Sequence, residues 1–567
     1  MRFREILYKK VLAIRAGTPF TVSHILYNTK AISIEMERDQ EMSIINKFKN
    51  WHMNNTTKCR QIKNMFIVQF LFSVILYIVL ITNQLTNHYD ALWSGNYALS
   101  GRWELSIGRW FWLYIDRLRM GISSEPLTSC LTLFLIIIGN MLLLDIFGQI
   151  GRKTGYLAGI IILSSTTVCS YLSYRYMSPT FGASFFLSIL AAWILAKKPL
   201  KAWLSVLAVV LQLGSYQANI ACTCVILVIV FMKMLIENEA NKRVIHFVIE
   251  SFFSLTAGCI IYKLIWEFHL HVLNISPSYY KGADSVSVGS IVMCFPHNII
   301  KTYKAFIDYF FGKSIKHNIL QNMGLYYLVY GIVIITLVMK ILALFNKSKI
   351  KVLLITAACA VLPLACNASL FIATEAGGVA IQMAAGMTIL FPVILCFACS
   401  IKETGKGLYK KNHETIKIFY MVISVIILYG NVYMTAIDQE TMYEGRNSTE
   451  TLVRGVVSEL GEKQMLSADR SYVFIGYPSG NPLFGSTKFW DMANPYARYG
   501  EFWAYPDLLR MAYNGVLRNI GINLTYAEDD VSVAMNGRDD VKNMPLFPAE
   551  GSIQEIDGYI VIKVSNV

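Results

Sequence analysis

Residues 128–148 read TSCLTLFLIIIGNMLLLDIFG, a stretch with one charged side chain, Asp145, and no proline. A helix rising about 1.5 Å per residue needs about twenty apolar residues to cross a hydrocarbon core of roughly 30 Å. The stretch therefore reads as a transmembrane helix. It decides the class of the chain because it has many counterparts.

Working outward, apolar runs fall near residues 64–82, 128–148, 155–171, 181–196, 201–215, 217–236, 247–271, 325–345, 351–371, 378–399 and 416–436. These predict about eleven spans. The region 201–236 reads either as two short spans joined at Gly214–Asn219 or as one long kinked helix with a second nearby. Composition agrees: of 567 residues, 55% are hydrophobic and 16% charged, with mean hydropathy +0.45. The expected fold is mainly α, a polytopic membrane helical bundle with a small α/β domain at its C-terminus.

The formal charge of +14 marks topology rather than a nucleic-acid partner. Arg152 and Lys153, then Lys197, Lys198 and Lys201, then Lys233, Lys242 and Arg243, then Lys347, Lys349 and Lys351, then Lys402, Lys406, Lys410 and Lys411 occupy alternate loops. Basic loops face the cytoplasm. The expected organisation is a cytoplasmic basic arm over 1–63, a transmembrane domain over 64–436 with outer loops 83–127 and 272–324, and an extracytoplasmic α/β domain over 437–567. The arm shows no apolar signal-peptide core. Residues 1–41 carry no fold signal, whereas Met42 opens MSIINKFKNWHMNN, which reads as a basic membrane-protein start; the segment before it is expected to be disordered or upstream of the true start. In the tail, STETLVRGVVSELGEKQML predicts a helix, SYVFIGYP and GYIVIKV strands.

The eleven cysteines lie mostly inside apolar runs, and Cys396 and Cys399 are read as small apolar helix residues. No metal is assigned, although a divalent ion is not excluded, and no organic cofactor is indicated. No internal repeat of the kind that marks inverted-repeat transporters stands out.

Chemistry concentrates in the first outer loop. SGRWELSIGRWFWLYIDRLRM, residues 100–120, combines tryptophans with arginines, as in a helix lying at headgroup level with cations reaching phosphates. An anchoring helix explains that composition equally. The run-up NHYDALWSGNYALSGRW places Asp90 just past the first span, near His88. A carboxylate there can take a proton from a hydroxyl, and Arg102 and Arg109 can pair with a phosphate. Asp116, beside Arg117 and Arg119, is the second acid. Tyr216 and Gln217 in GSYQAN can hydrogen-bond a sugar or serve an interhelical turn, and Arg175 in YRYMSP can assist with phosphate or anchor. Glu375, His297 and His317 read as solvated or structural.

The order of these features, a first span, an acid in the first outer loop, W-x-x-x-x-G-R within WELSIGRW, a surface helix before the second span, and later LGSYQAN, resembles the GtrII-type bacterial glucosyltransferase family. The likeness extends in layout over roughly residues 60–565, through the closing MPLFPAEGSIQEIDGYIVIKV. The resemblance implies a GT-C membrane glycosyltransferase whose catalytic acid lies in the first outer loop. It also implies a polyprenyl-phosphate sugar donor and an envelope polysaccharide acceptor, as in O-antigen or teichoic acid modification. It places Asp90 at the acid and Arg109 at the arginine of the Gly-Arg element. The family pattern often carries two adjacent acids, whereas Tyr89 precedes Asp90 here, which leaves Asp116 as a second catalytic candidate.

The expected activity is transfer of a hexose, glucose by the resemblance, onto an envelope glycan at the outer face. Its partners would be the lipid-linked donor, the glycan, the bilayer, a donor synthase and a small flippase. The rival is a transporter or flippase of lipid-linked glycans, which arginines near lipid phosphate would also suit. A sensor is a third reading, but the sequence offers no cytoplasmic output module.

Overall fold

The structure is a computed structural model, describing residues 56–86, 89–280, 288–312, 317–323, 327, 330–331, 348–372, 379–400, 408–484 and 506–566. The N-terminal arm before Thr56, Met42 included, most of the expected span 325–345, Glu375, and the loop with Lys402 and Lys406 lie outside the described residues. The chain forms two compact units, Met1–Lys63 and Asn64–Val567; the second contains the C-terminal sheet and nearly all of the described helices.

Seven described helices are long and apolar enough to cross a membrane: Thr56–Leu76, Leu127–Ile146, Ser178–Lys197, Gln217–Ile236, Asn241–Val272, Lys349–Cys366 and Lys417–Glu462. Lys153–Leu163 and Thr166–Ser173, bent by 46°, make an eighth if taken as one span. The expected count of eleven is therefore seven or eight among the described residues, for identifiable reasons. The bend in residues 153–173 falls where Ser165 caps the second half, its Oγ accepting from the Val168 N–H at 3.3 Å, a local bond that competes with the helical ladder. The run 201–215 yields the 13-residue helix Trp203–Ser215, about 20 Å long and too short to span alone. It ends at extended Tyr216, so 201–236 forms two helical segments joined where expected, of which the second alone is long enough to span. The run 378–399 opens with a 3-10 turn at Ile381–Met383 and leaves a 16-residue helix, Ala385–Ser400.

Some of the basic loops are brought together by direct contact: the Lys351 ammonium donates to Asn238 Oδ1 at 2.7 Å. The helix that carries the last expected span does not end near residue 436. Leu408–Glu462 is one helix of 55 residues, about 80 Å long, because residues 436–447, AIDQETMYEGRN, contain no proline and mostly good helix formers.

The end of that helix packs on a four-stranded sheet of β1 (Ser471–Ile475), β2 (Thr525–Tyr526), β3 (Ile553–Ile556) and β4 (Tyr559–Lys563), in the order β2-β1-β4-β3. β1 runs parallel to β2 and β4, and β3 closes antiparallel on β4. Alternation divides β1 between two cores. Tyr472 and Phe474 face Leu452, Val456 and Leu460 of the long helix with Tyr513 and Val516. Val473 and Ile475 face Met535, Val541 and Met544. Both faces are covered, as mainly parallel sheets require.

Candidate functional site

The segment 100–122 is built around glycine and tryptophan. Glu104 Oε2 accepts from the Gly101 N–H at 2.6 Å, opening the short helix Arg102–Ser106. Gly108 then turns at φ +85° into the helix Trp110–Leu118. A Cβ at Gly108 would collide with the Tyr262 hydroxyl and lie 3.0 Å from Gln217 Nε2, so both conformation and space call for glycine.

Three donors staple this turn to the bundle. Trp266 Nε1–H reaches Leu105 O at 2.6 Å, the Ser278 N–H reaches Ser106 O at 3.0 Å, and Gln217 Nε2 reaches Ile107 O at 2.8 Å. The amide of Gln217 also lies 3.1 Å from Tyr262 Oη. Gln217 and the Gly-Arg element, distant in sequence, thus meet. Arg109 lies over the Tyr216 ring at 5.0 Å and 5.9 Å from Trp112. Tyr216 meets Phe181 edge-on at 4.7 Å. The Arg109 Nε is buried with no hydrogen-bond partner, and among the described residues no carboxylate pairs with the guanidinium. Arg102 lies apart, exposed, donating to Asn274 O at 3.0 Å.

Asp116 is 1% exposed and fully engaged. Its Oδ1 accepts from Arg119 Nε at 3.0 Å and Nη2 at 2.7 Å, and its Oδ2 accepts from the Ser100 N–H at 2.8 Å. Arg119 in turn donates to Ile122 O at 2.8 Å, to Ser123 Oγ at 2.9 Å and to Tyr176 O. This network fixes the segment that receives Arg175, whose Nη2 donates to Ser123 O at 2.9 Å, Asn96 Oδ1 at 2.8 Å and Gln84 Oε1 at 3.3 Å. Arg175 Nε faces Glu125 Oε1 at 3.7 Å, and neither atom has a hydrogen-bond partner. Burial pushes the Glu125 carboxyl above the usual carboxylate range, against the opposing pull of Ser129 and Arg175. Burial likewise lowers the Arg175 guanidinium, which remains charged.

Arg175 opens onto a polar cavity of about 120 Å³ lined by Gln84, Thr86, Gly95, Asn96, Arg175, Arg446 and Asn519. Below the roughly 300 Å³ where whole-ligand pockets begin, it suits a headgroup-sized anion. Arg446 is held by Glu450 Oε1 at 2.8 Å and donates to Asn83 O, so two arginines bracket the end of the first span. Arg446, Asn519, Gln84 and Asn96 are site residues that sequence reasoning missed. Arg446 was hidden because the last span was expected to stop before it.

Asp90 lies in the helix Tyr89–Ser94, immediately before Gly95 and Asn96 of the cavity wall; its side chain lies outside the described positions. That helix is docked on the C-terminal sheet region. Leu92 is 2% exposed within the core formed by Leu452, Leu509 and Tyr513, Arg518 lies 4.5 Å over the Trp93 ring, and a Cβ on Gly515 would lie 2.5 Å from the Leu92 backbone. Among the described residues no group of three or more His, Cys, Asp or Glu is arranged to hold a metal ion.

The family model for the glucosyl transferase GtrII matches residues 78–397. The match includes Asp90, Arg109, Asp116, Arg175, Tyr216 and Gln217 and stops before Arg446 and Asn519. No curated protein and no solved structure matches.

Proposed function

The chain belongs to the GtrII glucosyl transferase family, and from that premise we propose that it transfers glucose from a polyprenyl-phosphate carrier to a cell-envelope polysaccharide at the outer face of the membrane. The observation that carries this reading is the cavity at the end of the first span. It offers two guanidinium groups, Arg175 and Arg446, next to the helix that bears Asp90.

The donor already carries a phosphate leaving group. The acceptor hydroxyl oxygen attacks the anomeric carbon, the bond from that carbon to the phosphate oxygen breaks, and the lipid phosphate leaves with the electron pair. Asp90 takes the hydroxyl proton. Arg175 and Arg446 hold the phosphate as its charge grows, acting where the transition state differs most from the bound donor. Arg109, with its buried unpartnered Nε, lies outside the cavity lining and, beside Tyr216 and Gln217, supplies a second cationic patch for the donor. Asp116 acts through Arg119 as a positioning residue. Arg102, on the exposed rim, meets bilayer headgroups.

The test is transfer by the purified full chain in vesicles supplied with labelled polyprenyl-phosphate glucose or nucleotide-linked glucose, with extracted envelope glycan as acceptor. The lipid-linked donor alone should label the glycan, and Arg175→Gln and Arg446→Gln should each lower kcat/KM for the donor about tenfold or more, with kcat falling, the scale of a lost charge-assisted bond made in the transition state. Labelling from the nucleotide sugar alone would overturn the donor assignment; translocation of the lipid without transfer would favour the flippase reading.

A further inference from the structure

A second lipid-facing feature lies away from this site, on the hairpin of helices Ser178–Lys197 and Trp203–Ser215. An open apolar groove of about 510 Å³ runs between them. Leu187, Leu190 and Trp193 line one side, Leu207 and Leu211 the other, and Lys198 and Lys201 stand at the mouth. We propose that this groove binds one anionic glycerophospholipid, with an acyl chain between the helices and the phosphate on Lys198 and Lys201.

Three observations commit the groove to that occupant. First, its length matches one leaflet. From Leu187 to Lys198 the helix rises about 16 Å, close to half of the roughly 30 Å hydrocarbon core. That depth suits the acyl chain of a bilayer lipid, whereas a polyprenyl chain is several times longer. Second, the charge is complementary and unspent. Lys198 Nζ lies 5.8 Å over the Trp193 ring, and among the described residues neither lysine has a carboxylate partner. Asp145 accepts the Trp193 indole N–H at 3.0 Å and so fixes that ring of the groove lining. Third, the hairpin tip is built for the interface. Leu200 is 97% exposed and Trp203 67% exposed beside three basic residues in KKPLKAW. Apolar and aromatic side chains at a basic tip sit at headgroup depth, which brings the ammonium groups level with lipid phosphates. The groove is at the basic end of its helices, so the bound lipid belongs to the inner leaflet by the positive-inside rule. The assignment stands independently of the transferase reading.

The experiment is native mass spectrometry of the detergent-purified full chain after exchange into equimolar phosphatidylglycerol and phosphatidylcholine of identical acyl chains. The wild type should retain one phosphatidylglycerol with at least about tenfold preference, the scale of two lysines at a charged lipid surface. Lys198→Gln with Lys201→Gln should bring the preference close to one; both side chains are exposed, so the fold is not at issue. Leu207→Trp, which fills the groove with the lysines intact, should lower retention of phosphatidylglycerol as well. Equal retention of both lipids by the wild type, an undiminished preference in the lysine variant, or displacement of phosphatidylglycerol by an equal concentration of polyprenyl phosphate would overturn the proposal.

Discussion

Replacing Gly108 with alanine tests how the segment 100–122 is held. Two penalties add. Gly108 sits at φ +85°, where an L side chain costs about 1–3 kcal/mol. The new methyl group would also press on the Tyr262 hydroxyl and on Gln217 Nε2, 3.0 Å away, and overpacking of this kind costs about 1–3 kcal/mol. The expected destabilisation is therefore about 2–6 kcal/mol, or an equivalent displacement of the loop that carries Arg109. Tyr262→Phe separates the two penalties, because once the hydroxyl is gone the next ring atom lies 3.3 Å from the Cβ position. The clash with the hydroxyl should then fall away, while the backbone part and the approach to Gln217 Nε2 persist. Thermal unfolding of the purified single and double variants should show a coupling of about 1 kcal/mol or more, within the range for residues in contact. A Gly108→Ala protein as stable as the wild type, or strictly additive effects with Tyr262→Phe, would refute the reasoning.

Gly515→Ala should push on the Leu92 backbone and shift the Asp90 helix, lowering transfer about tenfold or more; because Leu92 lies in the core of the C-terminal sheet, the melting temperature should fall as well, and transfer equal to the wild type would detach that region from the site. Asp116→Asn removes the charge that pairs with Arg119, a loss of about 1.5–3 kcal/mol, and should lower kcat/KM for the donor through Arg175 by less than Arg175→Gln does, which steady-state kinetics will show. The Glu125 carboxyl is raised by burial, so the fold favours its neutral form. Its contribution to stability is present below the ordinary glutamate value and is lost as pH rises through the raised one. Ionisation in that upper window also offsets Arg175, so donor KM should increase with pH there, and Glu125→Gln should flatten the profile.

The class of the fold was legible because apolar runs report directly on bilayer crossing, and residues 128–148 became the helix Leu127–Ile146. The span count was less legible because hydropathy is blind to local hydrogen bonding. Ser165 caps a new helix inside one run, and Tyr216 breaks another with an extended backbone. Periodicity likewise gives no sign that the helix of the last expected span continues unbroken to Glu462, which is what carries Arg446 to the cavity. At the site, the arginines and Gln217 could be singled out by residue type, but which of them meet depends on long-range packing. Leu92 in a polar loop gives no sign of belonging to the core of the C-terminal sheet, since its partners Leu452 and Tyr513 lie far downstream.

The central claim is that the acid on the helix beside the arginine-lined cavity acts as the base in glucosyl transfer, and steady-state kinetics of Asp90→Asn tests it most directly. With lipid-linked glucose as donor, kcat should fall by at least about a hundredfold while the donor KM stays within about twofold of the wild type; a kcat near the wild-type value, or a loss confined to KM, would contradict it.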